Sequence, residues 1–301
     1  MKIAVHILCY NVNTFLPHVV ANCHPYVEKV YLAWSPHSWG YGQSVIENPT
    51  NIYSYNLPVH FPKCELVIGS WSNEQDMRNA CLNKAREDGF DWLIIQDADE
   101  FYTESSWKTI VRVLSQLPQE VNLVKSTWLN FWKHPSIILV NHDGQTKTPN
   151  AGFALRLTPQ ARFIDRRLTN YSGSDSEAVL DVPCFHYGWV LNDEEINLKI
   201  RTWGHANDFN HSLWYELKWK RWSLATRNLR PANPCSWPKA VFYLGELPTF
   251  VHDIFGPELA IPSRSLTPKI SSFRLIIKEF FYDLEAKFKW LKYFIRNTYL
   301  R

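Results

Sequence analysis

The 301-residue chain reads as an α/β fold, a mixed sheet with flanking helices followed by a helical C-terminal extension. Three observations lead there. Short apolar runs rich in β-branched residues alternate with helical segments through the first half, as βαβ units with parallel pairing require. One run, Trp92–Gln96, shows no polar alternation and so suits a central strand covered on both faces. From Ser272 onward, apolar residues recur at steps of three and four, the period of a helix face.

In chain order, Ile3–Cys9 is predicted as a strand and Asn13 to about Val27 as a helix with Pro17 in its first turns. Lys29–Trp34 and Glu65–Ser70 are the next strands, separated by a loop rich in Pro and Asn. Ser72 and Gln75 have capping-box spacing, and the helix they open buries Met77, Cys81 and Ala85 and stops near Gly89. After Trp92–Gln96 comes a helix at about 104–117. Val121–Trp132, Ile137–Asn141 and Phe153–Thr158 then read as strands joined by turns, including Asp143-Gly144. Residues 192–230 are predicted helical and rich in Trp, and the Pro-rich segment 231–268 to wrap the surface.

Hydrophobic residues make up 46% and charged residues 20%, the balance of an ordinary globular protein. A net charge of +3 gives no basis for nucleic-acid binding. Residues 269–301 hold eight Lys/Arg against three Asp/Glu, so the rest of the chain is slightly acidic. The 14 Trp, 14 Tyr and 17 Phe fill cores, though their faces also suit sugar rings. Six scattered cysteines with no C-x-x-C pair point to reduced, buried thiols rather than a zinc site or a disulfide scaffold. No stretch reaches 18 apolar residues, and no apolar region precedes a small-residue cleavage site, so the expected location is cytoplasmic.

The polar cluster Asp97-Ala98-Asp99-Glu100 lies at the carboxyl end of the central strand, where open α/β sheets bind ligands. Two carboxylates at i and i+2 can face one ion when the backbone turns there. Oxygen ligands of this kind suit Mg²⁺ or Mn²⁺, which keep positions open for phosphate oxygens.

The strand Leu93-Ile94-Ile95-Gln96-Asp97-Ala98-Asp99-Glu100-Phe101, preceded by the helix Met77-Arg78-Asn79-Ala80-Cys81-Leu82-Asn83-Lys84-Ala85, resembles the GT-A glycosyltransferases, particularly family-2-like enzymes. The opening Cys9-Tyr10-Asn11-Val12-Asn13 is similar to their first strand-to-helix turn. The resemblance covers residues 1–130 well and 150–205 loosely. It implies a GT-A (Rossmann-like) fold, a nucleotide-sugar donor, a glycan or lipid-linked acceptor and a Mn²⁺ or Mg²⁺ cofactor. By the same resemblance Asp97 contacts the ribose or a metal-bound water, Asp99 binds the metal, and Arg78 stands near the donor. Asn11, Ser35 and Ala98 complete the implied donor-binding set. One departure concerns the base: where the family often places an acid after its second strand, this chain has Ala33-Trp34-Ser35-Pro36. Trp34 or Trp39 is available to stack on a base instead.

Several GT-A enzymes use a late histidine as a further metal ligand, and His186 fits that role, so the implied metal set is Asp97, Asp99 and His186. An inverting transfer also needs a general base. Asp165, about twenty residues before His186, is the first candidate and Glu177 the second, ahead of Asp175, Asp181, Asp193 and Glu194. Arg162, Arg166 and Arg167 beside Asp165 either hold a diphosphate or depress its pKa. His205 and His211, six apart, match no ligand spacing.

In the tail, Phe273, Ile276, Ile277, Phe280, Phe281, Leu284, Phe288, Leu291 and Ile295 form one helix face, with Arg274, Lys278, Lys287, Lys289 and Lys292 opposite. Such a helix either docks on the domain or lies on an anionic membrane surface. The expected organisation is therefore a nucleotide-sugar-binding and catalytic domain at 1–205, a Trp- and Pro-rich wrapping or acceptor-side segment at 206–268, and a basic amphipathic helix at 269–301. Two competing functions are a sugar nucleotidyltransferase and a non-catalytic carbohydrate-binding protein. The first normally carries a Gly-rich basic phosphate loop, and residues 9–16 contain neither glycine nor a basic residue.

Overall fold

The computed structural model describes residues 1–256 apart from 43, 150–151 and 233, then residue 259 and the helix at 273–299. Most of the Pro-rich stretch 257–272 lies outside the described residues. So do the side chains of Phe273, Lys292 and Ile295 from the predicted tail face.

Strands β1 (Ile3–Leu8), β2 (Lys29–Trp34), β3 (Cys64–Ile68) and β4 (Trp92–Asp97) pair in parallel in the order β3-β2-β1-β4. The connections carry helices α1 (Leu16–Cys23), α2 (Leu57–His60) and α3 (Glu74–Glu87). Alternate residues of the central strands serve two cores. Ile3, Val5, Ile7, Trp92 and Ile94 enter one; Ala4, Leu8, Leu93 and Ile95 enter the other, with Met77, Cys81 and Ala85 of α3. Burial on both faces explains why β4 lacks alternation. The α3 cap is Asn73, whose side chain accepts from the Asp76 amide, rather than Ser72. The predicted helix after β1 is shorter than its pattern and ends in a tight turn at His24–Tyr26, where Pro25 cannot donate to an α-helical ladder.

Beyond β4 the chain forms β5 (Glu100–Phe101) and helix α4 (Glu104–Leu114), then β6 (Leu123–Trp132), β7 (His134–Val140), β8 (Lys147–Pro149) and β9 (Ala154–Arg156). β9 runs antiparallel between β4 and β6 and so joins the parallel half to the rest. A small hairpin, β10 (Phe163–Asp165) and β11 (Leu168–Thr169), precedes β12 (Glu177–Trp189), which lies parallel along β6 and pairs with β5. The result is a mixed α/β fold with a large sheet and flanking helices, as the alternation of elements predicts.

Helix α5 (Asp193–Thr202) opens with a capping box between Asn192 and Glu195. Helix α6 (His211–Trp214) runs into a π turn at Tyr215–Lys220, so the predicted helical region 192–230 is two helices broken by a loop. Trp132, Trp189, Trp214, Trp219 and Trp222 gather in a third core, so most of this tryptophan surplus is packing. Segment 231–268 does more than wrap: β13 (Lys239–Phe242) adds an antiparallel edge strand on β7, and α7 (Phe250–Phe255) packs Val251 into the first core.

The terminal helix α8 (Phe273–Tyr299) docks, but not through the predicted face. Tyr282 and Leu275 meet the tryptophan core, while Glu279 and Asp283 bind the fully buried ammonium of Lys218 at 2.8 and 2.9 Å. A buried cation requires such partners. Phe280, Phe281 and Phe288 remain about 60% exposed. Among the described residues no helix is long and apolar enough to cross a membrane. All six cysteines are free thiols, five of them buried.

Candidate active site

The turn after β4 is built from its own residues. The Gln96 side-chain amide donates to the Glu100 carbonyl at 2.7 Å, and the Tyr187 amide donates to the Asp99 carbonyl at 2.8 Å, fixing the turn against β12. Asp97, Ala98 and Asp99 thereby line one cavity of about 420 Å³. Around it stand Asn11 after β1, Arg78 on α3, Asp165–Arg167 from the hairpin, His186 and Trp189 on β12, and Lys199 on α5.

Asp97 is held between two guanidinium groups. Arg78 Nη2 donates to its Oδ1 at 2.7 Å and Arg167 Nη1 to its Oδ2 at 3.2 Å. Burial by itself would raise this carboxyl, but the charges of Arg78 and Arg167 overcome it and bring the pKa to about 2. Arg78 is itself buried, bonded to Glu74 one turn earlier at 2.7 Å and to His6 Nε2 at 2.9 Å. Burial and the Arg78 charge hold His6 well below its ordinary pKa, so a neutral ring accepts that bond. Arg167 makes a two-point pair with buried Glu100, at 2.5 and 2.9 Å, and donates to the Ile95 carbonyl at 2.6 Å. Both arginines position Asp97, and Arg78 pairs its own charge with Glu74 and Asp97.

Asp99 lies among groups of another kind. Lys199 Nζ donates to its Oδ2 at 3.0 Å, and His186 Nε2 stands 3.5 Å from its Oδ1. Burial again pushes upward, and Lys199 followed by His186 holds the carboxyl far below the usual carboxylate range. His186 Nδ1 donates to Asn130 Oδ1 at 2.8 Å, and the imidazole stacks on Trp128 with centroids 5.1 Å apart. With Nδ1 bonded to Asn130, Nε2 is the ring nitrogen that faces Asp99. Gly188 keeps the space open: a Cβ there would come within 2.7 Å of His186 Nε2 and 2.8 Å of Asp99 Oδ2.

Among the described residues no group of three or more His, Cys, Asp and Glu side chains is gathered to hold a metal ion alone. Of the implied metal set Asp97, Asp99 and His186, only Asp99 and His186 face each other, 3.5 Å apart, and Mg²⁺ sites commonly take one or two protein ligands plus substrate phosphates. The pair fits that pattern, whereas both Asp97 oxygens already accept from arginines.

The remaining sequence candidates separate. Asp165 lines the cavity, half-exposed and 3.1 Å from Arg166. Glu177 begins β12, bonded to Lys125 Nζ at 2.6 Å and the Gly173 amide at 2.7 Å, and is not among the cavity-lining residues. Ser35 is buried and donates to the His37 carbonyl, so it supports a loop and does not reach the cavity. Asn11 takes a left-handed conformation at φ 54° and its side chain donates to the Glu195 carbonyl. Trp39 lines the cavity near Tyr10, whereas Trp34 donates to the Thr50 carbonyl away from it. His205 is at the rim, bonded to Arg166 and Asp208; His211 bonds the Ala206 carbonyl. Sequence reasoning passed over Lys199, Glu100 and Arg230. Only Glu100 had a sequence signal, its place beside the aspartates.

No family model matches the chain, and no curated protein matches it. Solved structures similar to it include TarS of S. aureus, at 11% identity and TM-score 0.39, covering 73% of this chain and 43% of that one. TarS 1–349 in complex with UDP-GlcNAc gives 10% identity and 0.38, over 73% and 72% of the two chains. The 4-diphosphocytidyl-2C-methyl-D-erythritol synthase of Anaerococcus prevotii gives 9% and 0.39, over 65% and 93%. The chain thus spans less than half the length of full TarS.

Proposed function

We propose that this chain is a GT-A-type glycosyltransferase that moves a sugar from a nucleotide-sugar donor to a glycan or lipid-linked acceptor. One observation carries the reading: two ionised aspartates end a central strand and face one cavity, each locked to its own set of cationic or imidazole groups. Paired acids and cations in a cavity at the carboxyl edge of a parallel sheet support binding of a phosphorylated sugar donor there.

In this reading Asp97, oriented by Arg78 and Arg167, accepts a ribose hydroxyl on lone pairs the arginines leave free. Asp99 and His186 are the residues that would hold Mn²⁺ or Mg²⁺. When bound, the ion supplies Lewis-acid stabilisation of the diphosphate leaving group. Lys199, fixed by Asp99 and by the Gly188 carbonyl at 2.8 Å, lines the same cavity and holds Asp99 in place. Asp165 is the carboxylate we assign to deprotonating the acceptor in an inverting transfer, since it faces the cavity and Glu177 does not. Trp39 and Tyr10 form an aromatic wall for the base. Helix α8, with exposed Phe280, Phe281 and Phe288 beside exposed Arg274, Lys278, Lys287 and Lys289, provides a peripheral contact with an anionic membrane carrying a lipid-linked acceptor.

The test is nucleotide release from UDP-, GDP- and dTDP-sugars, with and without Mn²⁺, by the native chain and Asp99→Ala. We expect turnover with one donor class and a loss of about 100-fold or more on substitution, with the far-UV melting profile retained. Binding of a nucleotide sugar without turnover across an acceptor panel would favour the carbohydrate-binding protein. No binding of any donor, or undiminished turnover by Asp99→Ala, would end the proposal.

A further inference from the structure

Of the cations lining the cavity, four are neutralised on the protein. Arg78 is paired with Glu74 and Asp97, Arg166 with Asp165, Arg167 with Glu100, and Lys199 with Asp99. Arg230 is the exception among the described residues: it faces the cavity with no carboxylate partner, and its Nε is buried without a hydrogen-bond acceptor. Its guanidinium lies over two indoles, 5.7 Å from the Trp189 centroid and 5.1 Å from that of Trp237. Burial pushes its pKa down to about 10, with no opposing anion.

The backbone leading into Arg230 is anchored. The Trp214 indole N–H donates to the Leu229 carbonyl at 2.8 Å, and the Leu229 amide donates to the Trp237 carbonyl at 3.1 Å, so the residue before Arg230 is tied on both sides. Lys199 Nζ lies 5.6 Å from the same Trp189 ring, so two cations flank one indole at the cavity wall. Cation–π contacts replace only part of the hydration a guanidinium loses on burial. An arginine in a cavity with no carboxylate partner can be completed by an anion from outside the chain. Its planar fork matches the oxygens of a phosphate at two points.

We propose that Arg230 binds a phosphate group of a substrate in this cavity. The word substrate rests on the transferase reading; the phosphate site does not. The same chemistry has two sources, the diphosphate of the donor or a phosphate on the acceptor.

Calorimetric titration of the full chain with inorganic pyrophosphate and with UDP, at constant ionic strength, compares native protein with Arg230→Gln. Loss of one charge-assisted, two-point contact is expected to weaken pyrophosphate by about tenfold or more. A matching loss for UDP assigns the site to the donor. Unchanged UDP binding, together with Arg230-dependent binding of inorganic phosphate at saturating UDP, assigns it to the acceptor. Equal binding of all three probes by the two proteins, or no binding of any by the native chain, overturns the proposal. Should Arg230→Gln fail to fold, phenylglyoxal labelling of the native chain decides instead: pyrophosphate must protect Arg230, read by peptide mass spectrometry, and unprotected labelling overturns the site. If pyrophosphate binding depends on Arg230 while no nucleotide sugar is turned over, the phosphate site stands and the glycosyltransferase reading falls.

Discussion

Asp97 and Asp99 are two residues apart, yet their charges are stabilised differently, by two buried arginines in one case and by a lysine and an imidazole in the other. The difference has a measurable consequence. Because the folded-state pKa of Asp97 is about 2, below the ordinary 3.8, its contribution to stability is fully present above about pH 4. It is lost as the pH falls through 2, when the carboxylate takes up a proton and the Arg78 and Arg167 bonds weaken. Asp97→Asn should therefore show a flatter dependence of denaturant midpoint on pH between 4 and 2 than the native chain. Parallel curves would mean that the arginines do not stabilise the charge. The i and i+2 acids were legible in the sequence, because a short motif at a strand end carries its own geometry. Lys199 was not, because its partner is 100 residues away and nothing local marks an interior helix lysine as one that turns inward.

At the scale of elements, helices and strands followed local signals where burial matched local pattern. α3 displays the predicted buried side of Met77, Cys81 and Ala85 because its whole face rests on the sheet. α8 shows the limit of that logic. Its strongest periodic face is the one left exposed, since the buried Lys218 ammonium demands carboxylates and draws Glu279 and Asp283 inward. Removing that demand should loosen the helix. In Lys218→Gln, backbone amides of 273–291 are expected to exchange with deuterium faster than in the native chain while β1 and β4 stay protected. Unchanged exchange in the helix would show that Tyr282 and Leu275 alone hold it. Strand β12 was hidden for a related reason. Its first half holds the short apolar run Ala178–Leu180, but Glu177 and Asp181 bracket that run and Val179 points outward at 69% exposure, so it does not read as a buried strand.

For the whole molecule, the exposed aromatic face of α8 beside its lysines and arginines predicts adsorption to anionic vesicles. Co-sedimentation with phosphatidylglycerol vesicles should be strong at low salt, fall as salt rises, and drop sharply in Phe280→Ser/Phe281→Ser/Phe288→Ser, with little binding to phosphatidylcholine. A native chain that stays in the supernatant would remove the membrane from the proposed function. The sequence by itself determined the alternation of strands and helices, the doubly covered central strand and the acid pair at its end, since each depends on neighbours within a few residues. Tertiary structure alone decided which charges meet: Arg167 on Glu100, Lys199 on Asp99, Lys218 on the terminal helix, and Arg230 over two indoles with no carboxylate among the described residues. The reason is the range of the forces. Propensity and periodicity act over one or two turns, whereas the cost of burying an ion is settled by whatever distant segment the fold brings beside it.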